Sequence, residues 1–206
     1  MPIFPTSTGL GLVRHGATGW TQARRYQGRA DPSLCAAGLA EMDLLSERLR
    51  ATNITQIVSS PLQRSVQSAA RLAAAARLAP LTIDPDLIEL DYGDWEGMTQ
   101  EEVKAAWPQA LRQWKRTPET HKFPGGETLA DAQHRVRNCL ARWLPPSRYR
   151  CILLVTHSAW IRLAYLEAAG LPLTRFREIA VPTGALIWHP HPFIPTSPST
   201  EFSICE

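Results

Sequence analysis

Short apolar runs and amphipathic stretches alternate along most of this chain. Leu10-Gly11-Leu12-Val13 is an apolar run that stops at Arg14-His15-Gly16, the pattern of a buried strand with a charged carboxyl end. A polar, arginine-bearing loop from Gly19 to Pro32 follows. An amphipathic helix then runs from about Gly38 to Arg50, with Leu39, Met42, Leu45 and Leu49 on one face. Ile54 to Ser59 reads as a second strand. Ser60-Pro61 turns the chain into an alanine-rich helix, about Leu62 to Ala79, because proline is tolerated in a first helical turn and alanine is the best helix former. Leu81 to Ile83 is a third, short strand.

The middle of the chain breaks this rhythm. Thr99-Gln100-Glu101-Glu102 is a capping box opening a helix that stops near Pro108, with Trp107 and Trp114 adding apolar bulk to a charged region. This segment, about 90–127, reads as a short helical lid inserted above the sheet. Pro124-Gly125-Gly126-Glu127-Thr128 turns into a helix from about Leu129 to Leu144 that ends at Pro145-Pro146. Cys151-Ile152-Leu153-Leu154-Val155 is the clearest strand and ends at Thr156-His157. A helix from Ala159 to Ala169 is stopped by Gly170. Ile179 to Val181 and Ala185 to Trp188 are further strand candidates, and the proline-rich tail, about 190–206, is expected to be poorly ordered. The alternation predicts an α/β fold, a three-layer α/β/α sandwich with a mostly parallel central sheet, in one domain over 1–206.

Composition narrows the function classes. The chain has 206 residues, 44% hydrophobic and 20% charged, with a net charge of +3. Dispersed basic residues without a stacking or helix-turn-helix motif argue against nucleic acid and fit a few arginines around an anion pocket. Cys35, Cys139, Cys151 and Cys205 lack metal-ligand spacing and read as thiols of a reducing compartment. No charged-then-apolar leader opens the sequence, and no apolar segment approaches a membrane span, so a cytoplasmic protein without membrane contact is expected.

Two strands end in a histidine, Val13-Arg14-His15 and Val155-Thr156-His157, and a parallel sheet would bring both to the same rim. An imidazole is a competent nucleophile toward phosphorus, and a guanidinium beside it grips phosphate oxygens. The strand ending at Ser59-Ser60 leads into a helix whose first turn carries Arg64, where the helix dipole also favours an anion. Glu89 supplies a carboxyl group suited to protonating a leaving alkoxide.

With these residues in place the chain resembles the histidine phosphatase superfamily, the phosphoglycerate-mutase-like group, from Leu10 to about Trp188. The resemblance rests on Arg14-His15-Gly16, on Ser60-Pro61-Leu62-Gln63-Arg64, on Glu89 with Gly93-Asp94-Trp95-Glu96-Gly97, on His157, and on Pro124-Gly125-Gly126-Glu127-Thr128. It implies a phosphoglycerate-mutase-like fold, with His15 as the nucleophile that becomes phosphohistidine. Arg14, Arg64 and His157 would hold the equatorial oxygens and Glu89 would act as acid, then base. Thr21, Gln27, Gly28 and Ser158 are implied as secondary phosphate ligands. The chemistry calls for no metal and no cofactor, and its partner is a small phosphate ester, with a homodimer left open.

Two departures from the family pattern stand out: Thr21 replaces a common asparagine, and His157-Ser158-Ala159 replaces the usual glycine-bearing triplet. The 68 positions from Glu89 to His157 leave room for only a short lid. A phosphatase resembling the α-ribazole and small-metabolite branches is therefore expected, ahead of a mutase or a non-catalytic phospho-ligand binder. Trp107, Arg112, Lys115 and Arg116 are candidate substrate contacts from the lid. Other residues read blandly: His189 and His191 as an exposed turn, His121 and His134 as surface, and Trp20, Trp95 and Trp160 as packing.

Overall fold

The longest apolar runs become the centre of the sheet. The computed structural model describes residues 9–50, 52–76, 79–143 and 151–190. Its strands are β1 (Gly9–Arg14), β2 (Gln56–Ser59), β3 (Leu81–Ile83), β4 (Cys151–Thr156) and β5 (Leu186–Pro190), in the order β3-β2-β4-β1-β5. The first four are mutually parallel, and β5 closes one edge antiparallel to β1. Every residue of β4 is buried, as a central strand covered on both faces requires.

Alternate residues of β4 serve two separate cores. Cys151, Leu153 and Val155 pack on one side with α2 (Ala36–Leu49) and α3 (Gln63–Ala75); Ile152 and Leu154 pack on the other with α6 (Leu129–Trp143) and α7 (Ser158–Ala168). The result is the three-layer sandwich that the alternation of elements predicts. Two short helices, α4 (Gln100–Ala106) and α5 (Pro108–Arg116), build the lid, and Trp95, Val103, Leu111, Trp114 and Phe123 tie it to the α6/α7 core. Among the described residues no helix is long and apolar enough to cross a membrane.

The differences from expectation have local causes. Pro108 ends α4 by forcing Trp107 out of helical geometry and then opens α5 as its first residue, where no N–H is missed. The loop after β1 contains one helical turn, α1 (Gly19–Gln22), because Thr18 and Thr21 form a reciprocal cap. Ile54 precedes β2, and Ile179 to Val181 is not a strand: that edge of β1 is taken by β5, which begins five residues later. His191, Cys205 and the tail beyond 190 lie outside the described residues. Cys139 and Cys151 are buried free thiols, and Cys35 is half-buried.

The turn after β1 is held by backbone contact with α2. A Cβ built on Gly38 would sit 2.0 Å from Ala17 O and 2.5 Å from Ala17 N. Alanine would add helix propensity worth under about 1 kcal/mol, whereas overpacking against backbone costs about 1–3 kcal/mol and has no flexible side chain to absorb it. Gly38→Ala is therefore expected to lower the thermal unfolding midpoint. A midpoint equal to or above wild type would contradict this packing.

Candidate active site

Three neighbouring strands end at one point. Arg14 pairs in register with Thr156, and His15 N donates to Thr156 O at 3.0 Å, so His15 and His157 leave adjacent parallel strands side by side. Their ring centroids are 5.2 Å apart at 61°. Ser60 N donates to Val155 O at 3.0 Å and sets the end of β2 on the other side of His157.

Arg64, in the first turn of α3, is wholly buried. Its Nη2 donates to Gly28 O at 2.6 Å, its Nη1 to Ala30 O at 2.7 Å and its Nε to His15 Nε2 at 3.2 Å. A guanidinium can only donate, so His15 Nε2 is the acceptor. The ring proton is then on Nδ1, which donates to Gly16 O at 2.8 Å. Burial, then Arg64 and Arg14, hold the His15 pKa well below its ordinary value. His15 thus presents an unprotonated Nε2 lone pair.

His157 is depressed in the same way, by burial and then by Arg64, His15 and Arg14. Its Nε2 lies 2.7 Å from Ser60 Oγ, while its Nδ1 is buried without a partner. Arg14 Nη1 donates to Val181 O at 2.6 Å, and its buried Nε also lacks a partner. Two buried polar nitrogens beside His15 are thus left open, a costly arrangement unless a ligand satisfies them.

Glu89 is 6% exposed, and its carboxylate rests at the start of α7. Ala159 N and Trp160 N approach Oε2 and Oε1 at 3.3 Å, and Leu90 N donates to Oε1 at 3.0 Å. Glu96 joins this acid-bearing loop to the loop that grips Arg64. Its carboxylate accepts from Arg29 N and Ala30 N, both at 2.7 Å, and from Tyr92 N at 3.3 Å. Gly28 has φ +52°, and a Cβ there would fall 1.8 Å from Glu96 Oε1, so this approach requires glycine.

A cavity of about 490 Å³ opens over these groups. Arg14, His15, Thr21, Gln27, Gly28, Arg64, Glu89 and Ser158 all line it, while His157 is fully buried beside His15 and is not part of the lining. Thr21 lines the cavity but turns its hydroxyl to its own cap, donating to Thr18 O and accepting from Thr18 N, both at 2.9 Å. Gln27 Oε1 accepts from Thr18 Oγ1 at 2.9 Å.

The lid contributes different residues from those expected. Trp107, Arg112, Lys115 and Arg116 do not line the cavity; Arg112, Lys115 and Arg116 face solvent because α5 turns Leu111 and Trp114 to the core. Arg24, Arg25, Tyr92, Gln100, Glu101 and Arg162 line it instead. Two of these carried a local signal: Arg162 is four residues after Ser158 on a predicted helix, and Tyr92 is three after Glu89. His121 is not a surface residue. It is 1% exposed among Trp95, Trp114 and Phe123, and burial lowers its pKa. His134 is exposed, and Trp95 and Trp160 are core residues. Among the described residues no cluster of three or more His, Cys, Asp or Glu side chains forms a metal site.

Comparison with known proteins gives a consistent picture. Residues 10–189 match the histidine phosphatase superfamily (branch 1). Phosphoserine phosphatase 1 of Hydrogenobacter thermophilus is 34% identical over 165 residues, spanning 80% of this chain and 78% of that protein. A Proteus mirabilis protein named "Probable phosphoglycerate mutase GpmB" is 36% identical over 174 residues, spanning 82% and 78%. The crystal structure of the alpha-ribazole phosphatase from Shigella flexneri aligns with a TM-score of 0.79 at 26% identity, over 90% of this chain and 92% of that one.

The buried histidines make stability depend on pH with a definite sign. The folded state holds His15 and His157 neutral where an unfolded chain takes up protons near pH 6.5, so below that value the unfolded state binds more protons. The unfolding midpoint is expected to fall as pH is lowered from about 7 to about 5. His15→Asn and His157→Asn should each flatten that dependence; a midpoint that stays level or rises toward pH 5 in the wild type would overturn the buried, neutral assignment.

Proposed function

Because the chain belongs to the histidine phosphatase superfamily (branch 1), we propose that it hydrolyses a small-molecule phosphomonoester through a phosphohistidine on His15, without a metal. The observation that carries this reading is the state of His15: a neutral imidazole at the cavity wall whose unprotonated Nε2 is held in place by the Arg64 Nε–H. In the first half-reaction Nε2 attacks phosphorus and the ester P–O bond breaks, with Glu89 giving a proton to the departing oxygen. Arg14, Arg64 and His157 hold the non-bridging oxygens, which satisfies the open Arg14 Nε and His157 Nδ1. In the second, Glu89 takes a proton from water as it attacks phosphorus, the P–N bond breaks, and phosphate leaves.

The secondary phosphate contacts divide by available donors. Gln27 keeps its amide N–H groups free of the Thr18 bond, and Ser158 offers a hydroxyl at the start of α7. Thr21 contributes less, since its hydroxyl proton is already donated within the cap. Lid helices of seven and nine residues support water as the acceptor of the phosphoryl group, because a short cover leaves the phosphohistidine accessible. The second reading, transfer to another hydroxyl, draws on the similarity to the Proteus mirabilis protein.

Brief incubation with a phosphorylated substrate is expected to place acid-labile phosphate on His15, and His15→Ala should abolish turnover with the fold retained. EDTA should leave the rate unchanged. Label on a serine or cysteine would overturn the mechanism, and isomerisation of phosphoglycerate outpacing phosphate release would favour the mutase.

Glu89→Gln tests the acid. A leaving alkoxide needs a proton, whereas p-nitrophenolate, a far weaker base, needs it much less. The variant should lose activity on alkyl phosphates about tenfold or more beyond its loss on p-nitrophenyl phosphate, on the scale of general acid catalysis. Equal losses on both substrates would remove Glu89 from this role.

A further inference from the structure

The cavity is lined by three more arginines than phosphate binding employs: Arg24, Arg25 and Arg162. Arg64 is tethered to Gly28, Ala30 and His15, and Arg14 to Val181. Arg25 is held by Glu102 at 2.8 Å and by Gly97 O at 2.6 Å. Arg24 is exposed at the rim. Arg162 differs from all of these. It is half-buried and lines the cavity, and its Nε is buried with no partner. Among the described residues no carboxylate pairs with it; its guanidinium carbon lies 5.3 Å from the centre of the buried Phe176 ring.

Its place in the fold says which end of a substrate it faces. Ser158 and Arg162 are one helical turn apart, on the same face of α7, and the first turn of that helix supports the Glu89 carboxylate. Arg14, Tyr92 and Arg162 interact electrostatically, and Glu89 acts on Arg14 and Tyr92 within the same group. Arg162 therefore stands on the side of the group that protonates the leaving oxygen. Burial and the Glu89 charge keep the Tyr92 hydroxyl protonated, so it remains a donor.

Resting on the phosphatase reading of the site, we infer that Arg162 binds a carboxylate on the alcohol portion of the substrate, close to the ester oxygen. The half-buried, unpaired guanidinium of Arg162 matches one planar, singly charged group through a bidentate fork, whereas Arg24 is exposed at the rim. A second phosphate fits less well, since one guanidinium balances only one of a dianion's two charges and Glu101 lines the same cavity. The substrate class is thus a phosphorylated hydroxy acid or hydroxy amino acid, and Arg162 is its specificity contact.

The test compares substrates that differ at the carboxylate. kcat/KM is measured for O-phosphoserine against O-phosphoethanolamine, and for 3-phosphoglycerate against glycerol 3-phosphate. The wild-type protein should favour the carboxylated member about 10- to 100-fold, the scale of a hydrogen bond to a charged group. Arg162→Met should bring the ratio toward one, and Arg162→Lys, which keeps the charge without the fork, should fall between. A wild-type ratio near one overturns the inference whether or not the variants fold. So does an equal loss on all substrates in Arg162→Met, or a wild-type preference for fructose 1,6-bisphosphate over both carboxylated esters. If no ester, p-nitrophenyl phosphate included, releases phosphate, the phosphatase reading fails instead. Calorimetric binding of 3-phosphoglycerate and glycerol 3-phosphate to the wild-type protein then decides the carboxylate site: tighter binding of the former by about tenfold supports it, and equal binding overturns it.

Discussion

Arg64 is a cation with no exposed surface, and its hydrogen bonds go to two carbonyls and an imidazole, not to a carboxylate. Taking a charge out of water is costly, and neutral acceptors compensate the desolvation without cancelling the charge. The interior of the site therefore carries standing positive potential. That potential, with burial, holds the pKa of both histidines well below the ordinary value, and it favours an anion in the cavity. Glu89, Asp31 and Glu96 offset it only from a distance.

The surrounding loops are organised around holding that guanidinium still. Gly28 and Ala30 turn their carbonyls to it, and the N–H groups of Arg29 and Ala30 are bound by Glu96. Glu96 reaches back to Tyr92 N in the loop that carries Glu89. Glu127 braces the same loop from the other side. It accepts from Asp91 N at 2.8 Å and pairs with Arg135, whose Nη2 lies 3.3 Å from Glu89 O. The Gly125-Gly126-Glu127 segment thus braces the Glu89 loop without lining the cavity, and a loss at Glu96 or Glu127 would act through the position of that loop.

The lid belongs to the same packing unit as the sheet. Trp95, Trp114, His121 and Phe123 form one group of ring contacts between α5 and the loop after Glu89. This packing turns the outer face of α5 to solvent and leaves the cavity wall to Tyr92, Gln100, Glu101 and Arg162. The cavity wall is accordingly shared between the lid's first turn and α7.

The amino-acid sequence by itself determined the strands and the helices of the sandwich, and the chemistry gathered at the strand ends. Those features are local: an all-apolar run such as Cys151 to Val155, a capping box at Thr99, and an arginine and histidine closing a strand are readable because each follows from a few adjacent residues. Only the tertiary structure decided which side chains meet. The register of β1 on β4 brought together His15 and His157, 142 positions apart, and the cap at Thr18 took the Thr21 hydroxyl away from the cavity. Packing of α5 against Phe123 buried His121 and displaced the expected lid contacts, while Arg162 was left with a buried Nε that has no partner among the described residues. Each of these outcomes depends on competition for partners across long stretches of chain, and no window of sequence contains both competitors.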